Sequence, residues 1–215
     1  MRIIITVCLA GLLSLNVYAN SDKKGIGLFS STGLSGWTNK SFKGSTNYQL
    51  VTDEDVQVLQ AASNNNASGL FFKQRINLEQ TPYLNWRWKI SSRLQGNDEL
   101  SKLGDDYCAR IYVVVDGGLL RWRSKALNYV WSGQTEAEAT WPNAFLPGNA
   151  MMLATRTAND PLDTWLTEKR NVREDLRKVY GKDITHIDIV ALMTDTDNTG
   201  QEVTAYYGDI YFTAE

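Results

Sequence analysis

Leu84-Asn85-Trp86-Arg87-Trp88-Lys89-Ile90 alternates apolar and polar residues without interruption. An extended chain sends successive side chains to opposite faces. Leu84, Trp86, Trp88 and Ile90 therefore share one face, and Asn85, Arg87 and Lys89 share the other. A helix would scatter the two tryptophans around its circumference. Burying both, with two aliphatic neighbours, is worth several kcal/mol at roughly 25 cal/mol per Å² of apolar surface. The segment reads as a strand with an apolar inner face.

The same spacing recurs over 69–78, 107–115, 119–123, 127–131, 184–194 and 203–213, with earlier strands over 48–51 and 56–61. Asn64-Asn65-Asn66, Asp116-Gly117-Gly118 and Asp197-Asn198-Thr199-Gly200 supply the turns between them. About nine strands joined by tight turns predict an all-β fold, most simply a jelly-roll-like β-sandwich. One short helix is expected late in the chain. Asn171 is its N-cap, with Glu174 three residues on; Val172, Leu176, Val179 and Tyr180 form an apolar stripe, and Gly181 is the stop.

The 215 residues are 43% hydrophobic and 21% charged, the composition of a globular protein. Lys plus Arg is 22 against 24 Asp plus Glu, which excludes the basic surplus that sequence-blind nucleic-acid binding requires. Met1-Arg2, an apolar run to Val17 and the small residues Val17 and Ala19 have the form of a secretory leader cleaved after Ala19. The expected organisation is a signal peptide over 1–19 and a single domain over 20–215. A periplasmic or secreted location follows, with no membrane span after cleavage. Cys108 is then the only cysteine of the domain; in a strand-like run it reads as a buried filler.

Signatures of readable chemistry are sparse. His186 is the only histidine, no Cys cluster provides a zinc site, and no Gly-x-Ser-x-Gly turn, phosphate loop or dinucleotide fingerprint is present. His186 opens a strand and reads as a hydrogen-bonded structural residue. No cofactor is expected; the one candidate ion is a structural Ca²⁺ held by Asp195 and Asp197, the competing reading being a turn satisfied by its own Asp and Asn side chains. Tyr206 stands where a helix-loop-helix calcium site would need a carboxylate.

The polar side of the strands is more informative. If Trp86 and Trp88 face the core, Arg87 and Lys89 face away. By the same alternation Arg75 turns outward beside Lys73, Arg110 and Tyr112 turn outward beside Asp106, and Tyr207 and Asp209 turn outward opposite Tyr206, Ile210 and Phe212. Trp131, Trp141 and Trp165 lie near loops as candidate rims. The candidate ligand-binding set is thus Arg75, Arg87, Lys89, Arg110, Tyr112, Trp131, Tyr207 and Asp209. One reading is a solvated face of weak ion pairs. The other is a groove in which tyrosine rings stack on sugars and Arg forks hold their oxygens.

Leu84–Trp88, Gly104–Tyr107, Ala109–Val113, Leu127–Trp131, Arg170-Asn171-Val172, Met193–Thr199 and Ala205–Ile210 together resemble an exported bacterial family catalogued as a domain of unknown function. The resemblance spans nearly the whole of 20–215 and implies export from a Gram-negative cell, but brings no activity or catalytic residues with it. Tyr207-Gly208-Asp209-Ile210-Tyr211-Phe212 is also similar to the closing strand of galactose-binding-type jelly-roll carbohydrate-binding modules, a resemblance that speaks to the fold. The functional expectation is a non-catalytic binding module for a glycan. Two alternatives stand beside it. One is a polysaccharide-active glycosidase or lyase drawing on Asp105, Asp106, Asp209 or Glu168 with Tyr or His186. The other is an envelope structural module that meets another protein.

Overall fold

Residues 23–133 and 136–215 are described in the computed structural model; the expected leader lies outside the described residues. The strands are β1 (Lys24–Gly27), β2 (Trp37–Lys43), β3 (Asn47–Asp53), β4 (Val56–Asn64), β5 (Ala67–Asn77), β6 (Tyr83–Ile90) and β7 (Arg110–Val115). They continue with β8 (Lys125–Trp131), β9 (Thr140–Pro142), β10 (Ala150–Arg156) and β11 (Leu166–Asn171). Helix α1 (Val172–Tyr180) precedes β12 (His186–Asp195), β13 (Glu202–Tyr207) and β14 (Ile210–Thr213). One sheet runs β1-β14-β6-β13-β4-β3 with β11 on the other side of β6; the second runs β2-β5-β12-β7-β8-β10-β9. The pairings are antiparallel except β8 with β10. The fold is the expected β-sandwich with one late helix.

The deciding segment is β6. Its alternation holds at every position: Leu84, Trp86, Trp88 and Ile90 are buried, while Asn85, Arg87 and Lys89 are half-buried on the opposite face. Trp86 and Trp88 meet edge to face at 5.4 Å. They reach across to the second sheet, Trp86 to Tyr129 at 5.3 Å and Trp88 to Trp131 at 5.8 Å. Such ring pairs add about 0.5–1.5 kcal/mol each beyond area burial. Trp131 is therefore a core residue, not a rim. Cys108 is buried in the same core, and burial pushes its thiol up to about 12, so it is the inert filler expected.

Helix α1 begins and ends where its capping residues dictate. The Asn171 side chain accepts a hydrogen bond from the Glu174 amide at 3.2 Å, and Gly181 adopts φ 64°. Val172 and Leu176 are buried against the sandwich.

Three expectations are corrected. Residues 119–123 form a turn and a short 3₁₀ helix over Arg121–Arg123 instead of a strand. The expected strand 203–213 is two strands lying end to end along β6: Tyr207 pairs with Trp88 but Tyr211 pairs with Asn85, so one extra residue is inserted at the break. That bulge reverses the in-out parity. Tyr207, read as outward, is fully buried in the core, and Tyr206, read as inward, is the one half-exposed outside. Five strands were not anticipated. β2 is exposed at six of its seven positions and β9 has three residues, while β10 is an apolar run without alternation.

Candidate functional site

The expected single polar face is divided between the two sheets. Arg87 and Lys89 lie on the outer face of the β6 sheet, with Asp209 in the β13–β14 break. Arg75, Arg110 and Tyr112 belong to the β7 sheet. Trp131 and Tyr207 contribute to neither surface, being buried between the sheets. Arg75 is mostly exposed and pairs loosely with Asp188 at 3.6 Å.

Arg110 and Tyr112 do come together, in a cleft of about 540 Å³ on the outer face of the β7 sheet. Its floor is built by alternation. Phe42 on β2, Phe71 on β5, Met193 and Asp195 on β12, Arg110 and Tyr112 on β7 and Asn128 on β8 all turn away from the core. Phe145 and Leu146, both exposed, form one wall, and Asp197 and Asn198 contribute to another. On the same outer face, Tyr107, Val130, Trp141, Met152 and Ala154 pack into a small cluster of their own, Val130 opposite Arg110 and Met152 opposite Asn128.

The walls are held by carboxylates. Both oxygens of Asp105 accept from the Asn143 Nδ2 at 3.0 Å, and the Asn143 carbonyl in turn accepts the Phe145 and Leu146 amides. Asp106 accepts the Asn198 and Thr199 amides and so fixes the turn after β12. Asp195 takes the Arg110 guanidinium at 2.5 Å and lies 3.4 Å from the Tyr107 amide. The charged side chains of this pair are almost wholly removed from water.

Two polar atoms of the floor stand without a partner among the described residues. The Asn128 Oδ1 and the Arg110 Nε are buried and make no hydrogen bond, although Asn128 is 1% and Arg110 5% exposed. Buried polar atoms are usually satisfied, so two unsatisfied ones on residues that line one cleft set this floor apart. Arg110 is further framed by the rings of Tyr107 and Tyr112, at 5.2 and 5.3 Å from their centroids.

A family model described as "Protein of unknown function (DUF3047)" matches residues 35–211. The chain belongs to the DUF3047 family. No curated protein matches it in sequence. Among solved structures, the DUF3047 chain is similar to the cellulose-induced protein Cip1, with a TM-score of 0.51 at 10% identity over 88% of this chain and 96% of that one. That likeness shows a shared fold. A family 30 carbohydrate-binding module of the cellulosomal cellulase Cel9D-Cel44B of Clostridium thermocellum is similar at TM-score 0.49 and 13% identity, over 84% and 92% of the two chains. The module TmCBM61, solved with β-1,4-galactotriose, is similar at TM-score 0.43 and 12% identity, over 87% and 94%.

The electrostatics of the DUF3047 cleft follow first from burial of its acids and then from their proximity to one another. Burial pushes the Asp195 carboxyl well above its ordinary range against the pull of Arg110, with Asp106, Asp105 and Asp197 adding to the rise. Burial likewise raises Asp105, and Arg110 opposes it. For Arg110 burial acts to lower the pKa, but Asp195, Tyr112, Asp105 and Tyr107 together outweigh it and keep the guanidinium charged. Asp106, Asp195 and Asp197 each bring a carboxylate oxygen within 4.8 Å of the others, so the expected pair of ion ligands lies beside a third acid. Both Asp106 oxygens and both Asp195 oxygens already accept protein donors. The other carboxylates weighed for catalysis lie elsewhere. Glu168 is tied to Arg156 and the Trp88 indole, and Asp209 to Ser30. His186 lies 3.9 Å from Asp188 at the start of β12.

Phe42, Phe71, Asn128, Asn143 and Phe145 were missed. Asn128 and Phe71 had a signal, since each stands between inward residues in an alternating run. Phe145 and Asn143 had none, because the Asp105–Asn143 bond that places them joins segments 38 residues apart.

Proposed function

We propose that the β7-sheet cleft is a non-catalytic glycan-binding site on an exported protein. The observation that carries the reading is the pair of buried, unpartnered atoms, Asn128 Oδ1 and Arg110 Nε, in a cleft flanked by Phe42, Phe71, Tyr112 and Phe145. Sugar hydroxyls donate to the first and accept from the second, while the aromatic faces cover apolar ring carbons. Asp105, Asp195 and Asp197 outnumber Arg110 and Lys40 on the cleft lining, which favours neutral glycans over acidic ones. A binding role fits these acids better than turnover, since Asp105 and Asp195 are engaged in bonds that hold the cleft in shape.

A glycan array followed by titration calorimetry tests the reading. Phe145→Ala and Phe42→Ala, both at exposed positions, are expected to weaken a neutral oligosaccharide ligand at least about tenfold, a loss of 1.4 kcal/mol, with an unchanged melting temperature. Unaltered affinity in both variants, or no glycan bound by the wild type, overturns it.

A further inference from the structure

The opposite face of the sandwich carries a second cleft, of about 380 Å³, beside the β13–β14 break. Its central feature is Arg87. The Gly208 amide donates to the Arg87 carbonyl at 2.9 Å, and the Arg87 side chain crosses the space where a side chain at 208 would stand. A Cβ there would lie 2.5 Å from Arg87 Cγ and 2.7 Å from its Nε. The Arg87 guanidinium is also 4.4 Å from the Trp165 ring centroid. Glycine backbone and indole thus hold the fork in place before any ligand arrives, which reduces the ordering cost of binding.

This fork has no acidic partner. Among the described residues no carboxylate lies within ion-pair distance of Arg87 or of Lys23, which also lines the cleft with its Nζ 3.7 Å from the Tyr211 ring centroid. The one carboxylate of the lining, Asp209, spends its oxygens on the Ser30 amide and hydroxyl at 2.9 and 2.7 Å. Asp53 is taken by Lys89 at 2.6 Å and by the Trp165 indole N–H at 2.8 Å. The first cleft is rich in carboxylates; this one presents two cations beside a single carboxylate already engaged by Ser30. Asn85 and Gln57 border it with amide oxygens suited to hydroxyl donors, and its volume is that of a small-molecule site.

We propose that this second cleft binds the carboxylate-bearing sugar of a uronic-acid glycan, with Arg87 as a bidentate fork and Lys23 as a supporting charge. Arginine matches a planar carboxylate through two parallel hydrogen bonds, which lysine cannot do. The site is independent of the proposed neutral-glycan cleft, from which it is separated by the core.

Titration of the whole protein with trigalacturonate is the test. One bound equivalent is expected, weakening as salt is raised because the contact is ionic and exposed. Arg87→Ala and Arg87→Lys should each reduce affinity about tenfold or more, and Gly208→Ala, which displaces the fork, should do the same. Phe145→Ala in the other cleft should leave trigalacturonate binding unchanged, so the two sites fail separately. Equal affinity in wild type and Arg87→Ala overturns the proposal, as does the absence of trigalacturonate binding. Arg87-dependent binding of inorganic sulfate or a hexaglutamate peptide as tight as trigalacturonate also overturns it, as a general anion or acidic-peptide site.

Discussion

Arg110 joins a buried ion pair to the lining of the proposed glycan cleft. Its NH2 group is committed to Asp195 at 2.5 Å while its Nε is buried without a hydrogen-bond partner among the described residues. Both charged groups are withdrawn from water, so deleting one strands the other. Arg110→Ala should lower the unfolding free energy by about 3–5 kcal/mol at neutral pH, read from urea melts. Arg110→Ala combined with Asp195→Asn should recover part of that loss, because no buried charge is then left alone. A cost of the single variant indistinguishable from a surface substitution would mean that Asp195 is neutral in the folded protein and the pair contributes little.

At the scale of elements, the most legible pieces were those whose stability is local. Helix α1 was readable to its caps because Asn171, Glu174 and Gly181 act within one turn of its ends. Asn171→Ala removes the side-chain acceptor for the Glu174 amide and should cost about 1 kcal/mol, measured as a shift in the urea midpoint; Asn171→Asp should retain most of the stability. β6 was readable because each of its faces meets one environment. What escaped depends on pairing between distant segments. Alternation says which side chains turn outward from a strand, but not to which sheet the strand belongs. Arg87 and Arg110 were therefore placed on one surface when a core separates them. The extra residue at the β13–β14 break changes the parity between the two strands, so the alternation that places Ile210 and Phe212 inward is wrong for Tyr206 and Tyr207 before it. The site itself was half legible: Arg110, Tyr112, Asp195 and Asp197 line the cleft, whereas the loop carrying Phe145 is positioned only by a bond to distant Asp105.

For the molecule as a whole, burial of four carboxyl groups, Glu99, Asp105, Asp195 and Glu168, sets a pH dependence of stability. Glu99 is 3% exposed and accepts from the Ser132 hydroxyl and the Gly133 amide. Burial nevertheless raises its pKa, as it does those of Asp105, Asp195 and Glu168. A carboxyl with a raised folded pKa binds its proton more tightly in the native state than in the unfolded chain. Between its raised value and the ordinary carboxylate range near about pH 4, the native state holds more protons and stability climbs as pH falls. The opposite sign applies to Asp53 and Asp183. Lys89 holds the first low and Arg173 with Arg177 the second, so their stabilisation is lost only as pH drops below the ordinary range. The melting temperature should therefore rise from pH 7 toward pH 5, pass a maximum and fall steeply in stronger acid. Glu99→Gln removes one of the groups responsible and should flatten the rise while leaving the acid limb in place. A melting temperature that declines steadily from pH 7 to 5 in the wild type would show that these buried carboxylates remain ionised, with Arg110 and the surrounding donors outweighing their desolvation.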